Sequence, residues 1–373
     1  MLIFIKDLFN KFKKAKVYEK ALVIFSMLLW LALLLMCLIK VNYTVITPGF
    51  PTNAANRITI EEESYKDNEV GQIYTLAVYS QNRVSIFRYF LSSINKKFDV
   101  SEYDKKKDLS DLEEQTQGQI MMDLSTTKAI IAAYSEASKV DDAIHIAYSF
   151  QGMIVESISH TYGDSQLMQG DIITHVKGIE ILSENHFYEV FNRKNIENNR
   201  ILVTVKRGDI TKELNLYLYS SDDGGYYLGF RTEAYYVIDE ENTYPKYKIG
   251  QTNTIGPSGG LLQTLSIYNS LIGEDITKGK VVVGTGTIEL AYQDENLDFY
   301  GGAIGAIKQK IITAYECDKR NNIDVFFVDY IDYDDALAAY NEFADGAFTL
   351  VRVEKFSDII NYFKEVSEWA CVL

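Results

Sequence analysis

Cysteine, histidine and positive charge are the scarce commodities in this 373-residue chain. The three cysteines, Cys37, Cys317 and Cys371, are too few and too scattered for a disulfide framework or a zinc site. Two isolated thiols are the simpler reading of Cys317 and Cys371, with a bridge between them left open. The four histidines fall between His145 and His186 without the His-Glu-x-x-His spacing of a metalloprotease. No metal and no cofactor is therefore expected. Net charge is −15, yet the first 40 residues carry seven lysines against Asp7 and Glu19, a balance of +5 that leaves −20 on the other 333. Phosphate binding needs a basic footprint, so no nucleic-acid partner is expected.

What is present begins with a nineteen-residue run without charge, Ala21 to Ile39. At 1.5 Å per residue it is long enough to cross the ~30 Å hydrocarbon core of a bilayer. It exceeds the apolar core of a signal peptide, and Lys40-Val41-Asn42-Tyr43 is no small-residue cleavage site. Five lysines between Lys11 and Lys20 precede the run and only Lys40 follows at once, which leaves residues 1–20 cytoplasmic, 21–39 in the membrane and the rest outside. Membrane lipid is thus one expected partner, and the cell membrane the expected location.

The outer portion reads as mixed strands and helices. Residues 43–60 and 72–79 are β-rich, 103–117 reads as a polar surface loop, and 126–138 as a helix capped near Ser125 or Thr126. These belong to a first block, 40–142. Residues 143–220 form a β-rich unit with strands at 153–158, within 170–181, at 201–208 and at 210–219, and a helix near 185–192. The last block, 225–373, begins with a strand-like segment at 226–238. It alternates further strands at 281–283, 325–328 and 348–353 with helices, the last carrying Phe356, Ile359, Ile360, Phe363 and Val366 at helical spacing.

The middle unit resembles a PDZ domain through Gly170-Asp171-Ile172-Ile173-x-x-Val176-x-Gly178, followed by a polar helix and a hairpin from Val203 to Gly208. Such domains bind extended peptide ends by adding a strand to an open sheet edge. That resemblance implies peptide binding at Ser149, Phe150, Gln151 and Gly152, where the usual Gly-Leu-Gly-Phe loop would lie, although the sequence here departs from it.

In the last block, Gly256-Pro257-Ser258-Gly259-Gly260 leads straight into a helix bearing Leu261, Leu265, Tyr268 and Ile272. Backbone amides at a helix entrance favour developing negative charge, which suits an acyl-transfer nucleophile, but a serine in this position is more often a plain helix cap. Further on come Thr285-Gly286-x-Ile288 and Ile304-Gly305-x-Ile307-x-x-Lys310. In this order the three segments resemble the proteolytic domain of Lon peptidases, and the chain as a whole resembles the membrane-anchored Lon-like peptidases of Gram-positive bacteria that carry an inserted PDZ domain.

That resemblance implies an α/β (α+β) Lon-type proteolytic domain with an inserted PDZ domain and one N-terminal transmembrane helix. It makes Ser258 the nucleophile, Lys310 the general base, Thr285 a neighbour that can hydrogen-bond the lysine, and Gly256 an oxyanion donor. Lys308 would face solvent. A lysine near pKa ~10.4 accepts a serine proton only if burial destabilises its charged form, and Ile304, Ile307, Ile311 and Ile312 could supply that burial. Two departures stand out: the Ser258–Lys310 separation is lengthened by the acidic loop from Glu289 to Tyr300, and Gly305-Ala306 replaces the usual Gly-Gly.

No Gly-x-x-x-x-Gly-Lys-Ser/Thr phosphate loop occurs, so the expected activity is ATP-independent. The expected function is a serine endopeptidase acting on exported peptides or unfolded protein segments, with a tethered, catalytically inactive PDZ scaffold as the alternative. Lon-like domains often assemble as rings, so homo-oligomerisation is a further open expectation.

Overall fold

A computed structural model describes residues 12–61, 72–191, 196–221, 224–252, 254–293, 296–344 and 346–370. Two compact units divide the chain: Met1–Ile46 with Ser80–Tyr103, and Thr47–Tyr79 with Asp104–Leu373.

The first unit is built on the helix Val17–Leu38, which has no buried residue and is long and apolar enough to cross a membrane. It starts four residues before the expected span and stops one short of Ile39, which is extended. The chain then meets its own later segment: Val41 N donates to Val84 O at 2.9 Å and Ile86 N to Ile39 O at 3.0 Å. A short helix, Ile86–Ser93, begins there, its first turn capped by the Ser85 hydroxyl accepting from Arg88 N. Tyr43–Ile46 pair antiparallel with Asp99–Glu102.

Among the described residues, two large sheets dominate the second unit. In the first, Thr349–Val353, Val325–Asp329, Val281–Thr285 and the strand from Gln72 follow one another in parallel. Side chains alternate across it, as a strand's period of two requires. Ile73, Val282, Val325 and Phe327 join a core with the helices Asp111–Ala137, Gly260–Leu271 and Phe356–Ala370. Leu76, Val283, Phe326 and Val328 join another with the helices Ile307–Asn321 and Tyr333–Phe343. Burial on both faces explains why these strands are runs of Val and Phe and do not alternate with polar residues. Between the serine and lysine segments, the lengthened acidic loop is an antiparallel hairpin, Thr287–Gln293 with Asn296–Gly302.

The second sheet has the strand order Phe230–Ile238, Tyr148–Ile158, Ile172–Val176, Arg200–Arg207, Ile210–Tyr217. The helix Glu184–Val190 closes its core through Phe187 and Val190; the expected end of this helix at Asn192 lies outside the described residues. The Gly-Asp signature has a structural basis. Asp171 is fully buried, and both its oxygens accept from Arg207, from Nε and Nη2 at 2.7 Å each, tying the signature turn to the hairpin. A planar guanidinium facing a carboxylate in this two-bond geometry is among the strongest polar contacts available.

Two expectations need correction. The region 103–117 is not all loop, and no helix starts at Ser125. One 27-residue helix runs from Asp111 to Ala137, opened by a capping box between Ser110 and Glu113. Its first turns are polar because they face water, so they show no apolar period; only the stretch after Met121 enters the core. The strand at 230–238 does not open the last block either. It pairs along its whole length with Tyr148–Ile158 and so completes the β-rich sheet.

Candidate active site

The turn before the Gly260–Leu271 helix is held from three sides. Gly256 has φ +100°, a conformation side chains rarely tolerate, and its amide donates to Gly118 O at 2.9 Å. The carbonyl of Pro257 accepts from Ser125 Oγ at 2.9 Å and from Gly260 N at 3.0 Å. The carbonyl of Ser258 accepts from Gly286 N at 3.0 Å and from Thr285 Oγ1 at 3.1 Å. Gly260 sits so close to the long helix that a Cβ there would lie 2.4 Å from Ser125 Oγ. Ser258 itself is half-buried.

Thr285 ends its strand, fully buried, and its hydroxyl accepts from Lys310 Nζ at 2.9 Å while donating to the Ser258 carbonyl. The lysine, the serine turn and the threonine are thereby joined in one hydrogen-bonded chain. Lys310 is 3% exposed, on a helix whose Ile307, Ile311 and Ile312 are buried around it. Burial drives its pKa down to about 7, against a weaker opposing pull from Asp332. The same burial pushes the Asp332 carboxyl upward, while its oxygen accepts from Ile304 N at 2.7 Å. Lys308, expected in solvent, is half-buried with its ammonium 5.6 Å from the Phe343 ring centre. Ala306, where a second glycine was expected, begins this helix in the left-handed region with φ 60°.

Gly256 does not serve as the free oxyanion donor the resemblance implied, because its amide is already committed to Gly118. The amides of Ser258 and Gly259 point the alternative, having no partner among the described residues. Such a pair at a helix entrance is suited to a developing oxyanion.

Beside this turn lies a group that sequence reasoning missed. Lys128, 6% exposed, contacts Glu233 at 2.9 Å and Glu289, joining the long helix to the edge strand of the second sheet and to the hairpin. Burial opposes its charge, but the two carboxylates together hold its pKa above the ordinary lysine value. Nearby Glu156 and Glu184 are pushed upward by burial and then by Glu233. A lone lysine inside Thr-Thr-Lys-Ala-Ile-Ile-Ala-Ala-Tyr was the available signal.

The expected peptide-binding residues are not in a loop. Ser149, Phe150 and Gly152 lie in the strand Tyr148–Ile158, opposite Val237, Tyr236 and Tyr235, and Gln151 falls at the bulge between them. Pairing with Phe230–Ile238 occupies one edge of that segment. The sheet's terminal strand on this side is Phe230–Ile238 itself. It is entered through Leu228-Gly229-Phe230, which matches the end of Gly-Leu-Gly-Phe.

No family model matches the chain, and no curated protein matches it. Among solved structures it is similar to the PDZ domain of an SdrC-like protein from Listeria monocytogenes, at 20% identity over 22% of this chain and 90% of that one, with a TM-score of 0.21. It is also similar to the second domain of a listeria protein solved in solution, at 20% identity over 26% of this chain and 94% of that one, with a TM-score of 0.19.

Proposed function

We propose that the chain is an ATP-independent, membrane-anchored serine endopeptidase of Lon-like type, with Ser258 as nucleophile and Lys310 as base. The observation that carries this reading is a buried amine with a pKa of about 7 whose hydrogen-bonded neighbour, Thr285, also grips the serine turn. A neutral amine takes the proton from Ser258 Oγ as the oxygen attacks a peptide carbonyl, and returns it to the leaving amine. Water then attacks the acyl-serine carbonyl while giving a proton to the same amine, and that proton passes to Ser258 Oγ as the bond between it and the acyl carbon breaks, which frees the acid and restores serine and neutral amine. Ser-Lys pairs are a known variant of the triad, and no histidine is needed. The amides of Ser258 and Gly259 receive the oxyanion. The helix Val17–Leu38 anchors the enzyme, and the PDZ-like sheet presents an extended segment of exported peptide or unfolded protein along Phe230–Ile238.

The test is covalent labelling of the full chain in detergent by a fluorophosphonate or a peptide boronate, alongside hydrolysis of an unfolded reporter. Labelling at Ser258 that is lost in Ser258→Ala and in Lys310→Ala, together with hydrolysis, is the expected result. Peptide binding without labelling or turnover in the unaltered chain would instead make it a tethered scaffold.

A further inference from the structure

The short helix Ile86–Ser93 has one face committed to the protein and one face bare. Inward, the Tyr89 ring packs against that of Tyr43, tilted by 36° with centres 4.3 Å apart, and Ser92 is 3% exposed. Outward, Phe90 is 55% exposed, Leu91 45% and the capping residue Ile94 68%. Residues at i, i+1 and i+4 share one side of a helix, so these three form a continuous apolar stripe. Single exposed apolar residues are ordinary on protein surfaces, but a stripe of three large ones marks a contact face.

What covers it follows from where the helix starts. Its first amide donates to Ile39 O, the residue directly after the Val17–Leu38 helix, and Lys40 bridges Ser85. The stripe is therefore held by backbone hydrogen bonds at the end of the apolar span. Charge agrees: residues 80–103 carry Arg83, Arg88, Lys96 and Lys97 against Asp99 and Glu102, a positive island in a portion of the chain that is otherwise strongly acidic. Apolar residues on one face with flanking cations are the composition of a helix that lies in a membrane interface.

We propose that Ile86–Ser93 lies in the lipid headgroup layer at the end of the span, with Phe90, Leu91 and Ile94 dipping into the acyl boundary. This rests on reading Val17–Leu38 as a membrane span. Full-length chains with a single thiol at Leu29→Cys, near the middle of the span, at Phe90→Cys or at Ile94→Cys, in a background with the native cysteines changed to alanine, are labelled with an environment-sensitive fluorophore. They are reconstituted in vesicles of phosphatidylcholine and phosphatidylglycerol. Lipids carrying a nitroxide near the headgroup are expected to quench the labels at 90 and 94, and lipids with a deep nitroxide the label at 29. Quenching of 29 with 90 and 94 open to aqueous iodide overturns the interfacial helix while leaving the span intact. Labels at 90 and 94 shielded from both quenchers mean a protein covers the stripe, which also overturns it. An unquenched label at 29 removes the span and the proposal together.

Discussion

Two lysines are buried in the second unit and end in opposite electrostatic states. Lys128 and Lys310 are 6% and 3% exposed, and burial alone penalises the charged form of each. Lys128 is met by Glu233 and Glu289 and stays firmly protonated. Lys310 is met by a neutral hydroxyl, with Asp332 acting only weakly on it, and its pKa falls to about 7. Desolvation sets the cost of charge, and the identity of the first partner decides whether that cost is met. One site is a structural clamp, and the other is an amine poised to exchange a proton near neutrality.

The comparison breaks most visibly at Lys310. Lys310→Arg places a cation that cannot deprotonate beside Thr285, and reporter hydrolysis should fall at least about a thousandfold, as when a member of a catalytic group is removed. In the unaltered chain, activity should drop about tenfold per unit below pH 7, where the amine is protonated. Stability carries the same signature. Between about 7 and the ordinary lysine value of 10.5 the folded protein has released a proton that the unfolded chain keeps, so stability rises with pH across that window. Denaturant unfolding of Lys310→Met should lose that slope.

At the other lysine the effect is on folding. Lys128→Ala leaves Glu233 and Glu289 facing each other and should cost about 3 kcal/mol in denaturant unfolding, at the low end for a broken buried pair because both carboxylates reach water. The smallest effect is expected at Ala306, whose left-handed conformation costs an alanine about 1 kcal/mol. Ala306→Gly should raise the free energy of unfolding in denaturant by roughly that amount, with the Lys310 pH profile unmoved.

Much of the fold could be read from local pattern: the uncharged run, the strands of both sheets, and the glycine-rich turn entering a helix. The parts that escaped are those set by distant partners. The polar start of the Asp111–Ala137 helix lacks an apolar period, although Ser110-x-x-Glu113 was a readable capping box. The strand Phe230–Ile238 follows an acidic junction and looked like the start of a new block, yet its partner lies some 80 residues earlier in the chain. At the site, Ser258, Thr285 and Lys310 could be named from three short segments. The commitment of the Gly256 amide to Gly118, and the pairing of Lys128 with residues over 100 positions away, depend on how a helix lies across the turn, which spacing along the chain does not encode.

That helix acts as a ruler. Gly118 and Ser125 are seven residues apart, two turns, and so look out from the same side of it. Lys128, one turn further, points to the same flank and reaches the edge strand. The turn of the proposed nucleophile and the strand proposed to receive substrate are thus both measured from one rigid rod. Tilting that rod would displace the Ser258 turn and the Phe230–Ile238 strand in the same stroke.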